Sequence, residues 1–159
     1  MHKILISACL LGEKVRYDGQ HRLLDHPAIE RWQREGRLVP FCPEVAGGLP
    51  TPRPAAEIRQ RFPILVNSRD GQDFTPAFLR GAELALEVAR RDGCCCALMK
   101  ADSPSCSNSR VYDGHFSGTL VEGSGLAAAE LMRHGIAVFD ETQLAHLIDF
   151  IAAQTSCAA

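Results

Sequence analysis

The amino-acid sequence predicts an α/β fold: a single Rossmann-like three-layer domain with a mainly parallel sheet. Three observations predict it. Short apolar runs of strand length alternate with helical segments, the pattern of right-handed crossovers onto a sheet covered on both faces. The length of 159 residues is that of one domain, assigned to residues 1–159. No long linker, low-complexity tract or solenoid-period repeat divides the chain. A chain of this size buries roughly two-thirds of its unfolded surface, so its core needs no covalent staples.

Ile4 to Ser7 is a short apolar run and reads as strand one. Pro27 to Glu35 reads as a helix, with Asp25 or His26 near its start and Gly36 as its stop. Leu38 to Cys42 reads as strand two, and Phe62 to Asn67 as a further strand at an edge. Thr75-Pro76 opens the clearest helix, a cap residue followed by proline at the first helical position. Phe78, Leu79, Ala82, Leu86 and Ala89 fall on one face of it. Arg90 and Arg91 suit its C-terminal dipole, and Gly93 ends it. Cys94 to Met99 reads as a buried strand, Gly125 to His134 as a helix stopped by Gly135, and Ile136 to Phe139 as a strand. Thr142 is the expected cap of a last helix buried through Leu144, Leu147, Ile148 and Ile151.

Charge is nearly balanced, 17 basic against 19 acidic residues, which argues against a broad nucleic-acid footprint while leaving room for a local basic pocket. No run of about 18 apolar residues is available to span a membrane. The apolar stretch after Met1 is too short for an export signal, and Glu13, Lys14 and Arg16 follow at once. A cytoplasmic protein is expected. Seven cysteines in such a chain point to metal, catalysis or burial rather than a disulfide framework.

The cysteines divide by surroundings. Cys94, Cys95 and Cys96 lie within a strand, where alternation sends Cys94 and Cys96 to one face and Cys95 to the other. They read as buried small hydrophobes, and Cys157 as a residue of the tail without a role. Cys9, Cys42 and Cys106 follow predicted strands and stand beside loop-forming Leu11-Gly12, Pro43-Glu44 and Pro104-Ser105. In open α/β sheets ligands bind at the carboxyl ends of the strands, so all three are expected at one sheet edge. Loop amides there can stabilise negative sulfur. Chemistry alone leaves two readings, a three-ligand metal site or unrelated loop cysteines. The spacing contains no Cys-x-x-Cys pair of the zinc-finger or ferredoxin kind.

The histidines form no helical metal-ligand pair. His146 falls on the exposed side of the last helix, His134 suits a helix C-terminus, and His115 is a candidate to approach the site. The run from Pro43 to Pro54, rich in proline and glycine and carrying Glu44 and Arg53, reads as a stiff pocket wall or a rigid surface loop. Arg16-Tyr17-Asp18-Gly19 and Tyr112-Asp113-Gly114 echo one another and read as two Asp-Gly turns.

These segments together resemble the bacterial thiouracil desulfurase (desulfidase) family over essentially the whole chain. The anchors are Ser7-Ala8-Cys9-Leu10-Leu11-Gly12 with Arg16-Tyr17-Asp18-Gly19, then Cys42-Pro43-Glu44 through Gly47-Gly48-Leu49-Pro50-Thr51-Pro52-Arg53, and Ser103-Pro104-Ser105-Cys106 followed by Tyr112-Asp113-Gly114. One departure is Ser107, where the family pattern has glycine. The resemblance implies a 4Fe-4S cluster held by Cys9, Cys42 and Cys106, with one iron lacking a protein ligand. It implies non-redox removal of sulfur from a thiolated uracil, as base, nucleoside or nucleotide. It also implies Glu44 and Ser103 as the catalytic pair, Glu44 activating a water and Ser103 donating to the ring or relaying a proton. A redox or electron-transfer protein and a structural zinc protein are the competing classes. A simple electron carrier usually has four cluster ligands, which counts against the first.

Overall fold

The computed structural model describes residues 2–156, so Cys157 lies outside it. In chain order the elements are β1 (Lys3–Ser7), α1 (Pro27–Arg34), β2 (Leu38–Phe41), α2 (Pro43–Ala46), β3 (Ala56–Arg61), β4 (Ile64–Ser68), α3 (Thr75–Arg91), β5 (Cys94–Leu98), β6 (Arg110–Tyr112), β7 (Leu120–Glu122), α4 (Leu126–Arg133), β8 (Ala137–Phe139) and α5 (Leu144–Ser156). Four strands form a parallel sheet in the order β2-β1-β5-β8. The other four form two antiparallel hairpins, β3-β4 and β6-β7. The α/β class and its layering therefore hold, but the expected single mainly parallel sheet does not. Phe62 to Asn67 is not an edge of that sheet; β4 pairs with β3, and Phe62 stands almost fully exposed at their turn.

Helices cover both faces of the parallel sheet. On one side Ile4, Ile6 and Leu98 pack against Ala28, Ile29 and Trp32 of α1 and Leu144, Leu147 and Ile151 of α5. On the other, Leu5, Ala97 and Val138 pack against α3, α4 and both hairpins. The period-2 alternation of β1 is thus buried on both faces, as central parallel strands require. Pro40 is tolerated because β2 is an edge strand.

Local chemistry places the helix ends, with three corrections. His26 caps α1, its Nδ1 accepting the Ala28 amide. Thr75 does not cap α3. Its amide donates to Asp73, while its hydroxyl accepts the Val66 amide and ties the helix to β4. Asp140, not Thr142, caps the final segment through a capping box with Gln143. Leu79 leaves the predicted stripe and is half-exposed, its place taken by Gly81 and Ala85.

The cysteine run of β5 also departs from simple alternation. Lys3 pairs with Cys94 but Ile4 pairs with Cys96, so Cys95 is an extra residue in the ladder. Cys94 consequently faces the α3–α4 side, while Cys95 and Cys96 both belong to the α1–α5 side.

The contact of α2 with α3 positions the functional end of β2. A methyl group at Gly47 would collide with the carbonyl of Ala77, and one at Gly81 with the carbonyl of Pro43. Backbone touches backbone here, which only glycine permits. Alanine normally gains about 1 kcal/mol over glycine inside a helix. Gly81→Ala is nevertheless expected to lower stability by roughly 1–3 kcal/mol, the usual scale of overpacking. Denaturant unfolding measures this, and a stability equal to or above wild type would show that α2 moves away freely.

Candidate active site

The crossovers from β1 lead to β2 on one side and, later in the chain, to β5 on the other. Chain ends diverging in this way leave a crevice at the carboxyl edge of the sheet. A cavity of about 460 Å³ lies there, bordered by Cys9, Cys42, Glu44, Ser103 and Cys106 together with Arg53. All five residues singled out from the sequence border this one cavity. His115 does not; it is exposed in the β6-β7 turn. His146 is exposed on α5, and His134 ends α4, where it meets Glu130 and Arg90.

Each cysteine arrives by its own turn. Cys9 sits in a short 3-10 turn, Ala8–Leu11, that leaves β1 and closes on Gly12 in the left-handed region. Cys42 follows β2 and is the residue before α2, so the Pro43 to Pro54 segment opens with a helical turn rather than an irregular loop. Strand geometry therefore stops between Cys42 and Glu44, and the helical turn aims the carboxylate. Cys106 lies in the turn after β5, whose carbonyls at Pro104 and Ser105 accept amides from the start of α4. Gly125 permits that contact, since a methyl there would strike Ser105 and Cys106. Ser107, the departure from the family pattern, is buried and donates to the Arg110 carbonyl without a positive φ.

The three thiols form no disulfide. Burial, followed by the neighbouring Cys42, raises Cys9 to about 11, with Lys100 and Arg16 opposing the shift. Burial also raises Cys42, with backbone amides near Val45 opposing it. Cys106 is pushed up to about 12, chiefly by burial, although hydrogen bonds from Ser7 and Ser105 favour its thiolate. Cys42 and Cys9 both add to that upward push. The three sulfurs thus sense one another across the cavity. Were these three thiols to ionise on one cavity, they would require a compensating positive group, as a metal centre supplies. Among the described residues no group of three or more His, Cys, Asp or Glu side chains is gathered in a way that could hold a metal ion.

Beside the thiols runs a continuous hydrogen-bonded chain. Arg53 Nε donates to Glu44 Oε1 at 3.0 Å. Ser105 Oγ donates to Glu44 Oε2 at 2.9 Å. Ser103 Oγ lies 3.1 Å from Ser105 Oγ and accepts the Cys106 amide at 3.0 Å. Arg53 is buried and spends its other donors on Pro50, Thr51 and Val15. One guanidinium therefore joins Glu44 to the loops after β1 and α2. On the far wall Lys100 Nζ pairs with Glu141 Oε2 at 2.9 Å, and Ser7 Oγ accepts the Lys100 amide.

Ser105 is a cavity residue that the sequence did not single out. It was visible only as a loop former beside Cys106, whereas its hydroxyl links Ser103, Glu44 and the Cys106 sulfur. The Ser103-Pro104-Ser105 spacing was the available signal, because serines two apart in a turn can share a backbone amide and each other.

The family model for 2-thiouracil desulfurase matches residues 4–143. A solved structure described as a 4Fe-4S-dependent thiouracil desulfidase, TudS, is similar at a TM-score of 0.92 and 47% identity, covering 96% of this chain and 99% of that one. The uncharacterized protein YbbK of Bacillus subtilis (strain 168) is 34% identical over 148 residues, 89% of this chain and 97% of the relative.

Proposed function

This chain belongs to the 2-thiouracil desulfurase family, and on that premise we propose that it replaces the sulfur of a thiolated uracil by oxygen. The balance is thiocarbonyl plus water giving carbonyl plus hydrogen sulfide, with no electron gained or lost. The observation that carries the reading is that three free thiols and the Arg53–Glu44–Ser105–Ser103 chain border one small cavity.

The donor set fits a 4Fe-4S cluster: three soft sulfur ligands, none in a disulfide, on separate rigid turns. Cys9, Cys42 and Cys106 would hold it. When bound, such a cluster supplies an iron without a protein ligand, a Lewis acid suited to the soft thiocarbonyl sulfur. The remaining work falls to this chain's own side chains. Glu44 stands two residues from Cys42 and accepts the proton of a water as that water attacks the thiocarbonyl carbon. Arg53 and Ser105 hold its two oxygens in place. Ser103, at the open end of the chain, donates to the pyrimidine or carries a proton back through Ser105. A cavity of this size accommodates a pyrimidine, and the nearly balanced charge leaves no broad surface for a nucleic acid.

In this reading the whole chain serves as one desulfidase domain with a Rossmann-like parallel sheet at its centre. Its six described cysteines are all free thiols, which suits the cytoplasm. Among the described residues no helix is long and apolar enough to cross a membrane.

The test is sulfide release from 2-thiouracil by anaerobically reconstituted protein, with no reductant added. Uracil and sulfide are expected in equal amounts. Absence of sulfide, or sulfide formed only when an electron donor is supplied, would reject the non-redox reading and favour a redox role for the same centre.

A further inference from the structure

We propose that Cys95 and Cys96 form a hydroperoxide-reactive dithiol at the amino edge of the sheet, in which Cys95 is oxidised first and Cys96 closes a disulfide onto it. The pair is remote from the cavity. It stands five residues along β5 from Lys100, about 16 Å at the rise of a strand. It takes no part in the desulfuration chemistry.

Geometry brings the two sulfurs together. Neighbouring residues of a regular strand point to opposite faces, which keeps adjacent thiols apart. The extra residue at Cys95 breaks that rule, and both side chains pack on the α1–α5 side. Their sulfurs lie 3.7 Å apart. A disulfide requires about 2.05 Å, so the sulfurs must close by roughly 1.6 Å, and because neighbouring Cα atoms stand ~3.8 Å apart, closer than the usual disulfide span, the bridge is strained and readily reduced. Cys95 has no partner residue across the ladder, which leaves its backbone freer to adjust than that of a paired strand residue.

The surroundings distinguish the two thiols. Cys95 is partly exposed, and Cys96 is fully buried. His2 and Arg37 stand near Cys95, and His2 Nε2 is buried without a hydrogen-bond partner. Reactive cysteines occupy such partly exposed, electropositive places. The contact with the Cys96 sulfur, followed by His2 and Arg37, draws the Cys95 thiol down to about 6, while burial opposes. The same contact pushes Cys96 upward. Cys95 Sγ donates to Cys96 Sγ and lies 3.7 Å from the Lys3 carbonyl, so its proton leaves before it reacts, and Cys95, the more exposed and the more acidic of the two, is the thiol that oxidant meets first.

The chemistry balances with a hydroperoxide as oxidant. The Cys95 thiolate attacks one peroxide oxygen, the O–O bond breaks, and an S–O bond forms. The peroxide takes two electrons and leaves as an alkoxide or hydroxide, which gains a proton. The Cys96 sulfur then attacks the Cys95 sulfenic acid, and an S–S bond replaces the S–O bond. The sulfenic oxygen departs as water with the Cys96 proton.

The tryptic peptide 92–100 carries Cys94, Cys95 and Cys96 and no other cysteine, so it reads the pair directly. Cluster-loaded protein is exposed to hydrogen peroxide, alkylated with N-ethylmaleimide and digested. The expected peptide carries one label instead of three and has lost two hydrogens. Cys94→Ser should still close the disulfide. Cys96→Ser should instead leave a sulfenic acid on Cys95 that dimedone captures. Three labels on the wild-type peptide after peroxide would overturn the proposal. So would a Cys94–Cys95 bridge, or a cross-link from this peptide to another. The wild-type mapping decides the matter even if a variant fails to fold.

Discussion

Cys42→Ser is expected to lose stable iron and sulfide release together, to the limit of detection. A serine hydroxyl is a harder ligand than a thiol and ionises far less readily, so it does not replace thiolate toward iron. The fold itself should survive. Cys42 is only partly buried, its sulfur makes a long contact to the Val15 carbonyl and receives the backbone amides of Val45 and Glu44, which a serine oxygen can also accept, and serine is the smaller residue. The β2–α2 junction is held by backbone bonds and by the glycine contacts with α3, none of which the substitution touches. Iron per chain, visible absorbance and circular dichroism on one anaerobic preparation separate loss of ligand from loss of fold. Cys95→Ala is the control: it lies at the other edge of the sheet and should keep its iron. Full iron and normal turnover in Cys42→Ser would remove Cys42 from the ligand set.

Glu44→Gln is expected to keep brown colour and iron content while turnover falls by about a hundredfold or more, the usual scale for a positioned general base. The structure makes this substitution more discriminating than the sequence could. Both carboxylate oxygens are already engaged, one by Arg53 and one by Ser105. A glutamine can still accept from Arg53 through its carbonyl, while its amide meets the Ser105 hydroxyl as an acceptor. The loop tie through Arg53 is therefore preserved, and Arg53 retains its bonds to Pro50, Thr51 and Val15. What disappears is the proton acceptor. Were Glu44 only a partner that shapes the loop for Arg53, Glu44→Gln would lose little activity, or would lose iron and activity in proportion. Iron per chain measured beside sulfide release distinguishes these outcomes.

Much of the local structure was legible because it depends on nearby residues. Pro27 at the first turn, Gly36 and Gly93 just past helix ends, and the apolar stripe of α5 mark elements whose causes lie within a few positions. The reading failed where a distant group competed. Thr75 looked like a cap, but Val66, nine residues earlier, takes its hydroxyl. Alternation across Cys94-Cys95-Cys96 looked regular, but pairing with β1 inserts an extra residue at Cys95. The short β6 and β7 strands were invisible for a related reason. Each has three residues, and their pairing across an Asp-Gly turn was all that marked them.

The candidate site divides along the same line. Residue type and chain order are local information, so three loop cysteines after three strands, Glu44 beside a proline, and Ser103 near Cys106 could be picked out from the chain itself. Their common edge followed from the rule for parallel sheets, which needs only the order of elements. The Arg53–Glu44–Ser105–Ser103 chain could not be read this way. Glu44 and Ser105 are 61 positions apart and meet only because β2 and β5 flank β1. Hydrogen bonds have a reach of about 3 Å, and no pattern along the chain specifies separation on that scale. Sequence periodicity decides which face a side chain occupies; only packing decides which of the many groups on that face it touches.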